Sequence, residues 1–173
     1  RFEVIATTPV LVGDAVFATA PDSPDANLYR LRPNPTGAGV ELLWTTPLDT
    51  CQGGVLHVGD ALYGAWYRSR KGWACIDART GAVRYETSAL AKGSALYADQ
   101  RLYCLSEAGE MALLKPTPNA FEFSGRFRLV SGRQDDVWTH PVISEGRLYL
   151  RHHQTLFCYD IRKPRSPETA AGR

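Results

Sequence analysis

No apolar run in this sequence approaches the ~20 residues that a membrane-spanning helix needs, so no stretch of the chain crosses a bilayer in that form. An excess of basic charge is missing too. Twenty Lys and Arg stand against 18 Asp and Glu, a net charge of +2, whereas a nucleic-acid-binding face is built from surplus Lys and Arg. The four cysteines, Cys51, Cys75, Cys104 and Cys158, are never adjacent and form no C-x-x-C pair, which leaves out the common zinc and dithiol spacings. There is no Gly-rich phosphate loop and no defensible Ser-His-Asp arrangement. Methionine occurs once, against 15 Gly, 11 Pro, 8 Tyr, 6 Phe and 4 Trp. Frequent turn residues and aromatics favour many short strands over long helices. The 44% hydrophobic and 22% charged content is that of a folded chain, and 173 residues make one domain or part of a larger one. The chain opens at Arg1 with neither an initiator Met nor a signal peptide, so a piece of a longer protein is expected.

Four stretches read alike: GDAVFA from Gly13, GDALYG from Gly59, DQRLYC from Asp99 and EGRLYL from Glu145. Each is a two-residue turn followed by an aliphatic residue, an aromatic one and a small or apolar one. The aromatics Phe17, Tyr63, Tyr103 and Tyr149 recur at steps of 46, 40 and 46 residues. Such a period belongs to propeller blades or to helical hairpin repeats. Before each turn runs a strand-like stretch (Thr8–Val12, Gly54–Val58, Ser94–Ala98, His140–Ser144). A third follows it (Leu28–Leu31, Trp73–Ile76, Met111–Leu114, Leu156–Tyr159), and three repeats add a fourth (Glu41–Trp44, Ala82–Tyr85, Ser124–Phe127). Short runs bounded by Gly, Asp, Asn or Pro are strand signals, and no stretch carries the three-and-four spacing of an amphipathic helix. The reading is all-β: a β-propeller of about four four-stranded antiparallel blades over 1–162, with a flexible tail at 163–173. The fourth repeat ends at Asp160–Arg162 without an outer strand. Phe2–Ile5 either supplies it, closing a four-bladed ring, or is the outer strand of a preceding blade. The four aromatics are expected to pack blade on blade.

The second repeat carries the most specific motif. Cys75-Ile76-Asp77-Ala78-Arg79-Thr80-Gly81-Ala82-Val83-Arg84-Tyr85 closely resembles A-x-D-x-x-T-G-x-x-x-W, the signature of pyrroloquinoline-quinone-type (PQQ-like, quinoprotein-like) β-propeller repeats. Asp77 and Thr80 can bind backbone N–H groups of a tight turn, Gly81 can take positive φ, and Tyr85, in place of Trp, can dock on the adjacent blade. The fourth repeat keeps only Cys158-Tyr159-Asp160, and the third rewrites the turn as Lys115 to Asn119. Lys92 to Tyr103 and Trp138 to Arg151 are similar to the C-terminal half of bacterial quinoprotein-like propellers. The resemblance implies a larger ring of seven or eight blades and export to the periplasm. The fold hosts quinone-dependent dehydrogenases, an outer-membrane assembly scaffold and sensor domains, and fold alone does not choose among them.

A dehydrogenase of this resemblance would hold pyrroloquinoline quinone with Ca²⁺ on hard oxygen ligands, with an Asp as base and usually a vicinal disulfide. No such disulfide exists here, and no catalytic residue is assigned. Inner strands line the central channel, which puts Thr8, Gly54, Ser94 and His140 at the channel mouth as candidate cofactor-binding positions; for His140, which could also bind a ligand or metal there, a bond to a neighbouring strand is the favoured reading. Cys51-Gln52 precedes Gly53-Gly54 where relatives often carry His-His. His152 and His153, as neighbours on an extended chain, are expected to point opposite ways, and no metal site is assigned. Cys75 and Cys158 sit in blades two apart, too far to bridge, and are expected as small buried hydrophobes. Asp135-Asp136 and the basic runs Arg68 to Lys71 and Arg162 to Arg165 are expected in solvated loops. The leading expectation is a binding or scaffold module of the bacterial envelope, taking a protein partner or small ligand at one propeller face, with loops Ala20–Asn27 and Arg68–Gly72 as natural contacts. The alternative is a quinone-dependent dehydrogenase of an alcohol or sugar; a sensor module on a longer chain is a third.

Overall fold

The chain runs as a succession of antiparallel meanders in which each strand pairs with its neighbours in sequence. The structure, a computed structural model, describes residues 6–23, 25–35, 37–130 and 135–162. The strand expected at Phe2–Ile5 and the tail at 163–173 lie outside the described residues. Blade 1 comprises β1 (Val10–Val12), β2 (Ala15–Ala18), β3 (Ala26–Asn34) and β4 (Gly37–Thr46). Blade 2 comprises β5 (Val55–Val58), β6 (Ala61–Ala65), β7 (Trp73–Asp77) and β8 (Val83–Thr87). Blade 3 comprises β9 (Gly93–Ala98), β10 (Arg101–Ser106), β11 (Glu110–Pro116) and β12 (Phe121–Arg128). Blade 4 has three strands among the described residues, β13 (Val142–Ser144), β14 (Arg147–His152) and β15 (Thr155–Asp160). Three of the four inner strands begin later than the pattern suggests. Thr8 and His140 stand before Pro9 and Pro141, which have no N–H to give a ladder, and Gly54 turns at φ +68°; only Ser94 lies within its strand.

The repeated aliphatic–aromatic pair explains how the blades stack. Successive residues of a strand point to opposite faces, so Val16-Phe17, Leu62-Tyr63, Leu102-Tyr103 and Leu148-Tyr149 each send one side chain backward and one forward. Leu62, Leu102 and Leu148 pack into the clusters shared with the preceding blade, while Phe17, Tyr63 and Tyr103 pack into those shared with the next. Three interfaces result, each a continuous apolar core. Tyr149, the fourth aromatic, belongs to none of them and is only half-buried. The same bulge recurs in three blades, between Leu28 and Tyr29, Cys75 and Ile76, and Leu113 and Leu114, where the outer strand carries one extra residue. An added residue steepens the local twist, bending each outer strand at the same height.

The signature turn of blade 2 is built as its residues dictate. Asp77 Oδ1 accepts from the N–H of Arg79 (3.0 Å), the N–H of Thr80 (2.9 Å) and the Thr80 hydroxyl (3.0 Å). Gly81 has φ +75°, and a Cβ there would lie 2.6 Å from the Trp44 ring of blade 1. Glycine is thus required twice over, for conformation and for room. Tyr85 docks forward as expected: its hydroxyl donates to the Thr117 carbonyl of blade 3 (2.6 Å) and its ring meets Phe121 edge-on at 4.9 Å. The turn that lost the signature, Lys115 to Asn119, is therefore still the seat of the preceding aromatic. Arg84 bridges Asp77 and Asp60 at 2.7 Å each. Its guanidinium, with burial opposing and the Thr80 and Arg79 bonds assisting, lowers the Asp77 carboxyl to about 2.

Two expectations about single residues change. Cys75 is buried but Cys158 is exposed, because its face of blade 4 has no following blade over it among the described residues. His152 and His153 do not diverge. His153 sits at φ +50° in the β14–β15 turn, which swings its ring onto that of His152 with centroids 4.2 Å apart; His153 Nε2 also lies 3.2 Å from Asp135 Oδ2.

Candidate functional site: the face of the long connections

In a meander, alternate connections fall on the same edge of the sheet, so the molecule has two unlike faces. One carries the two-residue turns 13–14, 59–60, 99–100 and 145–146. The other carries the connections 19–23, 47–54, 66–72, 88–92, 107–109 and 153–154 and the described residues 129–130 and 135–141. Residues that are apart in sequence converge there. Gln52, before the inner strand of blade 2, donates through Nε2 to Glu107 Oε1 (2.8 Å), and its carbonyl accepts from His140 Nε2 of blade 4 (2.7 Å). Glu107 also pairs with Lys92 at 3.5 Å, and its carbonyl accepts from the Val137 N–H at 3.1 Å. A Cβ on Gly53 would fall 2.0 Å from the Gly93 carbonyl oxygen, so the backbones of blades 2 and 3 approach as closely as two glycines allow. Further along the axis, His57 Nδ1 donates to the Leu11 carbonyl of blade 1 (2.9 Å).

Of the four channel-mouth candidates, three share this neighbourhood. Gly54 follows the Gly53–Gly93 contact, Ser94 follows it on the other side and is buried, and His140 reaches in from blade 4. Thr8 is exposed and takes no part in it. A calcium ion with a quinone would need converging hard oxygens, and these residues do not fit. Gly54 has no side chain, the His140 Nε2 is spent on a carbonyl, and Glu107 is engaged by Gln52 and Lys92. No group of three His, Cys, Asp or Glu suited to a metal ion exists among the described residues. The cluster is a polar staple across three blades.

The part of the face that sequence reasoning missed is Asp49. It is 2% exposed, yet its two oxygens accept the N–H groups of Tyr67 (3.0 Å), Arg68 (2.9 Å) and Ser69 (2.7 Å). Burial favours the neutral acid, but these backbone donors outweigh it and hold the carboxyl below its ordinary value. The Thr50 hydroxyl donates to the Ala65 carbonyl (2.6 Å) and the Trp66 N–H to the Gly72 carbonyl (2.9 Å). The basic run is the solvated loop expected, with Arg68, Arg70 and Lys71 exposed, and its backbone is held by an internal anion. Nothing in local sequence pairs Asp49 with residues 18 to 20 positions downstream. Trp138, 62% exposed within residues 135–141, is the large aromatic that this face leaves to solvent.

Comparison with solved structures decides the architecture. The computationally designed protein Ika8 aligns over 91% of this chain and 46% of its own, at 11% identity and a TM-score of 0.62. BamB from Moraxella catarrhalis aligns over 90% of this chain and 57% of its own, at 16% identity and 0.54. The fold is a β-propeller. A second designed protein, Ika4, aligns over 94% of this chain and 96% of its own, at 12% identity and 0.61. The chain thus spans about half the length of Ika8 and somewhat more than half of BamB. No family model and no curated protein matches the sequence.

Proposed function

We propose that this propeller arc is a binding or scaffold module of the bacterial envelope that engages a protein partner through the face of the long connections. The observation that carries the reading is that face itself. It combines a rigid, outwardly basic loop held by Asp49 with a solvent-exposed Trp138, and exposed aromatics and Arg on fixed backbone are the residues that anchor protein interfaces. The likeness to BamB supports a bacterial setting. The repeat signature Asp77-Thr80-Gly81, working as a turn and a seat for Trp44, supports the kinship with PQQ-like repeats without requiring the quinone. Export to the periplasm follows from the same kinship.

A photoreactive amino acid placed at Gln52, Arg68 or Trp138 should crosslink one defined partner in cells. The same group at Asp60, Gln100 or Gly146, on the opposite face, should not. Crosslinks arising mainly from the second set would overturn the reading. So would micromolar binding of pyrroloquinoline quinone with Ca²⁺ accompanied by dye reduction on an alcohol or sugar.

A further inference from the structure

The basic loop of blade 2 encloses a cleft that the staple around Glu107 does not use. It lies between connections 66–72 and 88–92 and has a volume of about 300 Å³, at the small end of the range for ligand pockets. Trp66, Tyr67 and Leu90 wall it, and Arg70, Lys71 and Lys92 are its charged lining; no carboxylate lines it. The acids that meet these cations stand outside: Glu86 takes Arg70 at 3.1 Å and Glu107 takes Lys92 at 3.5 Å. Lys71 is exposed and pairs with no acid among the described residues.

Both aromatic walls already carry a cation on the face of the ring. Arg70 sits 4.8 Å from the centroid of Trp66, and Lys92 Nζ 4.0 Å from that of Tyr67. Trp66 is fully buried, and its indole N–H has no acceptor. That nitrogen is closed off from solvent, so Trp66 serves the cleft as a fixed wall. The walls are also set in advance. Asp49 fixes one connection, and the Trp73 indole N–H fixes the other by donating to the Ala91 carbonyl at 2.9 Å. A preformed site loses less in ordering when it binds.

The geometry points to a docking pocket for an acidic residue flanked by an aliphatic one in an extended segment of a partner protein. The carboxylate meets Lys71 with Arg70 and Lys92, and the aliphatic group lies against Tyr67 and Leu90. This rests on the scaffold reading and names the chemistry of its partner.

The test titrates the ¹⁵N-labelled chain with a blocked Glu-Leu-Glu-Leu peptide, with its Gln-Leu-Gln-Leu counterpart, and with inorganic phosphate. The acidic peptide should move the Trp66 indole resonance, assigned with Trp66→Phe, together with the amides of residues 67–72 and 88–92. The neutral peptide should bind at least tenfold more weakly, as should the acidic peptide to the Lys71→Gln, Lys92→Gln double variant with its dispersed spectrum retained. No shift, an equal response to the neutral peptide, or phosphate alone moving the same resonances as strongly would each overturn the pocket. These outcomes leave the crosslinking result untouched, and loss of crosslinks alone removes only the scaffold reading.

Discussion

Gly81 is the position where two constraints coincide. A side chain there must adopt φ +75° and displace the Trp44 ring. Backbone strain of this kind costs about 1–3 kcal/mol, and overpacking a similar amount. Gly81→Ala is therefore expected to lower stability by roughly 2–4 kcal/mol in urea unfolding, with Trp44 fluorescence altered in the folded state. Asp77 responds to acid. Its folded-state carboxyl is lowered to about 2, mainly by Arg84, from an ordinary 3.8, so its contribution is complete above the ordinary value and fades as pH falls toward 2. Asp77→Asn should flatten the acid limb of stability between about pH 4 and 2, read by thermal melts across that range; an unchanged slope would refute the Arg84 bridge.

The aliphatic–aromatic pairs are equivalent in sequence and unequal in surroundings. Tyr63 lies in the core between blades 2 and 3, whereas Tyr149 is half-buried on a side of blade 4 that no described blade covers. Truncating a buried aromatic costs about 3–5 kcal/mol. Tyr63→Ala should fall in that range and Tyr149→Ala below about 1 kcal/mol when the 173-residue chain is unfolded by urea. The basic run Arg68 to Lys71 shows the same split between local pattern and surroundings. The residues were legible as a basic loop, but its rigidity was not, because Asp49 reaches it from the connection between blades. Of the four repeat-aligned positions, Gly54, Ser94 and His140 share one neighbourhood through the Gly53–Gly93 approach and the His140–Gln52 bond, while Thr8 is exposed outside it.

Blades 1 and 4 each present an apolar face that no other blade covers among the described residues, and by repetition the two faces are complementary. Leu11, Leu31, Val40 and Leu42 are 53–71% exposed on the side of blade 1 that corresponds to the covered Leu62, Leu102 and Leu148 sides. Val142 and Leu156, 52% and 64% exposed, flank Tyr149 on blade 4. Contiguous apolar surface of this kind drives association. The 173-residue chain alone is expected to associate with rising concentration, blade 4 of one copy on blade 1 of another, in size-exclusion chromatography with light scattering. Leu42→Asp or Leu156→Asp should each return it to monomer; association indifferent to both would show that these faces do not meet.

The order of strands, the antiparallel meanders and the tight turn at Asp77 were all present in the amino-acid sequence, because period-two alternation and turn chemistry act over a few residues. The locked loop at Asp49, the staple from Gln52 to His140 and the cleft beside Trp66 were not. Each joins side chains 18 or more positions apart, or on different blades, and such neighbours exist only once the blades have stacked about their axis.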